Sequence, residues 1–170
     1  MSSIVGSMLR QMLLRPRVKK ATWPQLCSAA MALHERFESM IQGVTEAGAA
    51  VEGDDGMSIR SIFAHLATEN RRVAAVLESI RRGGGSIAAA LVVARTLAEA
   101  RAAYADSWTQ LGMAAAQPIE SAATVSHELF GQLTAAEWLA TVGYQHELHA
   151  RRIERIMASE AYRRAQGAGW

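Results

Sequence analysis

Between Leu139 and Ile156 the inward positions fall at Leu139, Val142, His146, His149, Ile153 and Ile156. That 3-4-3-4-3 spacing is an α-helical a/d seam, which is stable only when packed along its stripe against other helices. The segment has an equally definite start. In Thr134-Ala-Ala-Glu137 the Thr hydroxyl and the Glu carboxylate each satisfy a backbone N–H that the first helical turn leaves unpaired. The spacing therefore predicts a helix from Thr134 to about Ala161, with two histidines where a core ordinarily takes leucine.

Three further helices read from the same logic. The first is predicted from Trp23 to Ala47, with Thr22 as N-cap, Gln25 completing a Thr-x-x-Gln box and Pro24 in the first turn. Its stripe is Leu26, Ala30, Leu33, Phe37, Ile41 and Val44, followed by a loop over residues 48–56. The second runs from Ser58 to Arg82, stops at Gly83-Gly84-Gly85, and buries Ile59, Ile62, Leu66, Val73, Leu77 and Ile80. The third is expected to begin after Ser86 and to reach Ala116 before Pro118, with Leu91, Leu97, Tyr104, Trp108 and Leu111 inward. Residues 117–133 read as irregular, with one short turn near Val125. Four such helices make an all-α, four-helix bundle, antiparallel or partly crossed.

Composition narrows the class further. The lone Cys27 excludes an internal disulfide and any Cys-rich zinc module, and is expected to be a small buried apolar residue. The longest apolar run, Ile87 to Ala94, is too short to span a bilayer, so no membrane partner is expected. Five of the 18 basic residues lie in residues 1–20, which hold no acid, leaving 13 basic against 16 acidic residues beyond them. That mildly acidic body argues against nucleic-acid binding. The domain reading is a basic, irregular N-terminal extension over 1–20, a bundle over 21–165 and a tail over 166–170. The extension is expected to be frayed or loosely docked and the chain cytoplasmic; the alternative, from the Arg-rich, acid-free start, is an organellar transit peptide.

The histidines carry the chemistry. An imidazole buried without a partner costs about 1–3 kcal/mol, so two on one seam call for a shared acceptor or a metal. His146 and His149, at i and i+3, lie on one helix face, and His65 lies on the buried flank of the second helix. Glu69, one turn beyond His65, is placed to orient that imidazole or to act as a further ligand. Three imidazoles from two helices would leave positions open for water or substrate. Taken singly, His65 reads as a satisfied core or boundary histidine and His34 as a partly solvated edge residue. His127, in the irregular stretch, reads as a loop hydrogen-bonder or as lining a pocket mouth.

Two stretches resemble the DinB-like superfamily, metal-binding four-helix bundles that include the YfiT-like proteins and thiol-dependent S-transferases. Met57-Ser-Ile-Arg-Ser-Ile-Phe-Ala-His65 resembles the second-helix pattern ending in a ligand histidine. The run from His127 through Phe130-Gly131 and Thr134 to Trp138, followed by His146-Glu-Leu-His149, resembles the second signature. The resemblance implies metal ligation by His65, His146 and His149. It differs at one point: many members place the last two ligands at i and i+4, and here Gln145 holds the earlier position with His146 one residue later. Ligation by His146, replacement by Gln145 and loss of the metal are the alternatives.

Two functional expectations follow from that resemblance. In one, a zinc or nickel ion on the three histidines activates a low-molecular-weight thiol or water against a small-molecule substrate, with Glu69 and His127 as catalytic proton-transfer residues. The alternative is a non-catalytic helical bundle with a degenerate site, an interaction or small-ligand-binding protein. A homodimer through exposed apolar residues of the first and third helices is expected in either case.

Overall fold

The computed structural model describes residues 2–84, 87 and 90–167. Its elements, in chain order, are α1 (Ser2–Leu9), a π-helical turn (Arg10–Leu14), α2 (Arg15–Lys19), α3 (Trp23–Met40), α4 (Glu46–Ala49), α5 (Ile59–Arg81), α6 (Leu97–Ala115), β1 (Val125–His127), β2 (Gly131–Leu133), α7 (Ala135–Ala158) and α8 (Glu160–Gly167). The four long helices α3, α5, α6 and α7 form the bundle, with α5 packed chiefly on α6 and α7, and α3 chiefly on α7. Phe37, Ile62, Phe63, Leu66, Tyr104 and Ile153 are buried at its centre. The predicted stripes of α5 and α7 are buried throughout, histidines included. Among the described residues no helix is long and apolar enough to cross a membrane.

The capping chemistry read from the sequence sets several of these starts. The Thr22–Gln25 and Thr134–Glu137 boxes are both formed. Ser58 opens α5 by accepting from the Ser61 N–H at 3.2 Å, while the Ser61 hydroxyl accepts from the Ser58 N–H at 2.7 Å. These reciprocal bonds hold the first turns of the two helices that carry His65 and His149.

The elements between the helices depart from expectation. The first helix ends at Met40 rather than Ala47, because Gly43 adopts φ +80° and breaks the ladder. Thr45 then caps α4 through the Gly48 N–H. The third helix begins at Leu97, where Thr96 accepts from the Glu99 N–H at 3.1 Å. The predicted start at Ser86 lies outside the described residues, and Leu91, expected inward, is 76% exposed on the irregular chain before α6. Residues 117–133, expected to be irregular, contain a hairpin with Val125 opposite Leu133 and His127 opposite Gly131. Gly131, at φ +71°, supplies the left-handed residue that a short hairpin loop of this kind requires.

Residues 2–19 of the expected extension and residues 166–167 of the expected tail are helical. Residues 2–19 are helical and docked, not irregular: Leu14 is fully buried and Arg10 reaches both carboxylate oxygens of Glu137 at 2.7 Å. Pro16 lacks the N–H that would continue the ladder, and its ring crowds the preceding turn, which accounts for the widened π turn just before it. At the other end, the Gln166 side chain accepts from the Thr45 N–H at 2.7 Å and donates to the Gly43 carbonyl at 3.1 Å. That pins α8 beneath α4, with Tyr162 buried between them. Residues 168–170 of the expected tail lie outside the described residues.

Candidate functional site

Helices α5 and α7 bring two of the three expected histidines together. The rings of His65 and His149 lie 4.9 Å apart, centre to centre, inclined at 57°. His65 is half-buried and His149 almost wholly buried. The Nδ1 atom of His149 is buried with no hydrogen-bond partner among the described residues. Burial pushes the His149 imidazole down to about 3, with the positive potentials of His65, Arg152 and His146 adding to it and Asp55 opposing it. Burial also lowers His65; Glu69 opposes that shift, and Arg152 and Arg72 reinforce it. Both rings are therefore uncharged at neutral pH and present nitrogen lone pairs.

Charged side chains flank the pair. The Arg152 Nε atom donates to Asp55 at 3.0 Å, and its Nη1 lies 3.2 Å from the Met57 sulfur. Glu69 is mostly buried and lies 3.7 Å from the Arg72 Nη1, which is also 3.6 Å from Glu128. Glu69 therefore acts on His65 through its charge and is paired with the Arg72 guanidinium. Neither arginine is singled out in the sequence as a site residue; the signal that would find them is spacing, Arg152 three residues beyond His149 and Arg72 three beyond Glu69.

His146 is not part of this pair. Its Nδ1 lies 2.8 Å from the Val142 carbonyl and its Nε2 lies 3.0 Å from the Tyr104 hydroxyl. A carbonyl only accepts, so the proton sits on Nδ1 and the Tyr104 hydroxyl donates to Nε2. The ring stands edge-on to Phe37 at 5.0 Å and lies 5.2 Å from Trp108. Residues three apart on a helix differ by about 60° around its axis, enough for one seam position to face α5 and another to face α3 and α6. Both nitrogens are engaged in the core, which removes His146 from the expected ligand set. Gln145, half-buried, sits one turn before His149 on its side of α7.

His127 has a local task. Its Nδ1 accepts from the Leu129 N–H at 3.0 Å and, at 3.4 Å, from the Phe130 N–H, closing the hairpin loop. The ring packs 4.9 Å from both Phe130 and Trp138. It also lines a cavity of about 360 Å³ with Arg72, Ser126 and Glu128. Burial lowers its pKa, with Arg72 adding and Glu128 opposing. His34 packs on Tyr104 and Trp108 at the α3–α6 boundary.

Against a bound divalent ion these residues fit in part. Two neutral imidazoles at close approach, one with a bare buried nitrogen, suit two positions of a coordination sphere. The three-histidine set does not fit, and among the described residues no three His, Cys, Asp or Glu side chains gather as a metal would require.

The fold matches one solved structure well. The crystal structure of TT2238, a four-helix bundle protein, superposes with a TM-score of 0.66 at 20% identity, over 78% of this chain and 98% of that one. No protein-family model matches the chain, and no curated protein does so either.

Proposed function

We propose that this protein is a small-ligand-binding helical bundle, a divergent relative of the DinB-like proteins, in which His65 and His149 bind one divalent ion, zinc or nickel. The observation that carries this reading is the bare, buried Nδ1 of His149 beside the His65 ring. Leaving such a nitrogen unpaired costs about 1–3 kcal/mol, which a bound ion would offset. Held by these two imidazoles, a divalent ion would supply Lewis acidity, lowering the pKa of a coordinated water or thiol. His65 and His149 supply the lone pairs, Gln145 is the nearest replacement for the third histidine by helical position, and Glu69 orients His65. Two imidazoles bind less tightly than three, so the reading favours reversible ligand capture over a permanently loaded thiol transferase.

Calorimetric titration of chelator-treated protein with zinc or nickel chloride tests this. One site per chain is expected, weakened at least tenfold in His65→Ala and in His149→Ala and unchanged in His127→Ala, with thermal melts confirming that each variant folds. Equal affinity in His149→Ala overturns the reading. Metal-dependent consumption of a low-molecular-weight thiol with an added electrophile, abolished in His149→Ala, would replace ligand capture with transferase chemistry.

A further inference from the structure

A second site lies away from the histidine pair, where the N-terminal half of α3 faces the C-terminal half of α6. These two helices make few direct contacts, and a groove of about 420 Å³ opens between them. Trp23, Cys27, Met31, Trp108, Gly112 and Leu139 line it, with no charged side chain on its walls. One end is pinned where the Trp23 indole N–H donates to the Ala115 carbonyl at 2.8 Å, and the Cys27 sulfur lies 3.7 Å from the same oxygen.

Gly112 is the residue the fold alone does not explain. It sits inside the 19-residue helix α6, where glycine weakens a helix relative to alanine. Its φ is not in the left-handed region, so the backbone does not require glycine. A Cβ there would meet nothing within 4 Å, so no neighbouring helix requires it either. At Gly6, Gly48 and Gly53, by contrast, a Cβ would press on a neighbouring atom. What the missing side chain at 112 does is widen the groove.

We infer that this groove binds an uncharged, largely apolar small molecule of one or two rings. The volume lies within the range of roughly 300–1,000 Å³ usual for small-molecule sites. The wall from Trp23 to Met31 is about 12 Å of helix, too short to seat a partner helix of several turns. Two indoles on the walls favour an aromatic ligand, and the absence of charge disfavours an ionic one. The Cys27 thiol is pushed up by burial and stays protonated, so it packs against the ligand rather than attacking it.

Titration with N-phenyl-1-naphthylamine, an uncharged dye that fluoresces in apolar surroundings, tests the inference. Saturable one-to-one binding is expected in the wild type, and the dye should slow alkylation of Cys27 by N-ethylmaleimide. Gly112→Leu places a side chain in the groove and improves helix propensity, so it should keep or raise the Tm while weakening dye binding at least tenfold. His149→Ala should bind the dye as the wild type does, which separates this site from the metal reading. Unsaturable binding, or binding unchanged in Gly112→Leu, overturns the inference. Concentration-dependent self-association that protects Cys27 without dye also overturns it, by assigning the groove to a second copy of the chain.

Discussion

Tyr104 on α6 and His146 on α7 are joined by a hydrogen bond of 3.0 Å at the centre of the bundle, and both side chains are fully buried. The bond explains how a core can hold an imidazole without a metal. The Val142 carbonyl accepts from the Nδ1–H, the Tyr104 hydroxyl donates to Nε2, and Phe37 and Trp108 close the surroundings. A polar pair that is fully satisfied ties two helices in one register, whereas either half alone would be an unpaired buried group.

His146→Leu and Tyr104→Phe should each destabilise the protein by about 1–3 kcal/mol, because each leaves the other partner bare. The double variant should cost less than the two single costs added together. Urea denaturation of the four proteins checks this, and strict additivity would show that the bond contributes nothing.

Stability should fall on acidification through the same residue. Burial first, opposed by the Val142 hydrogen bond and reinforced by the His34 potential, pushes His146 down to about 4 from its ordinary value of 6.5. The unfolded chain therefore binds the proton first, and the stability this site contributes is present above pH 6.5 and lost as the pH falls towards 4. The loss amounts to about 3 kcal/mol from this group, and it should be missing in His146→Leu. Urea midpoints measured from pH 7.5 to 4 give the slope; a wild type and variant with the same slope would refute it.

The N-terminal helix should detach when its ion pair is cut. Burial opposes ionisation of Glu137, but the Arg10 and Thr134 hydrogen bonds outweigh it and hold its carboxyl below the usual range. Arg10→Ala should cost about 1–2 kcal/mol and expose residues 2–19 to trypsin. Glu137→Ala should cost more, since it also removes the acceptor for the Thr134 N–H, one half of the α7 capping box. Cleavage at equal rates in Arg10→Ala and the wild type would mean that Leu14 alone holds the segment.

His127→Ala should lower stability by about 1–2 kcal/mol by freeing the Leu129 and Phe130 N–H groups. His127→Asn, whose carbonyl oxygen can accept in a similar turn, should recover part of that loss. Denaturation midpoints decide it, and an Asn variant no better than Ala would point to ring packing on Trp138 as the main contribution.

The sequence by itself determined the long helices and their inward faces. Periodicity and capping are local: a Thr with Glu three residues on, or an apolar residue every third and fourth position, acts within one or two turns of chain. Thr134–Glu137 and the α5 stripe were legible for that reason. Thr96-Leu-Ala-Glu99 carried the same kind of signal for the true start of α6, but it was masked by the apolar run before it. Only the tertiary structure decided which partner each histidine meets. His146 and His149 share one seam, and the rotation of about 60° between them matters only once α5 stands on one side and α6 with α3 on the other. The docking of residues 2–19 was decided the same way, because Arg10 finds Glu137 across 127 positions of sequence, a distance no local pattern can report.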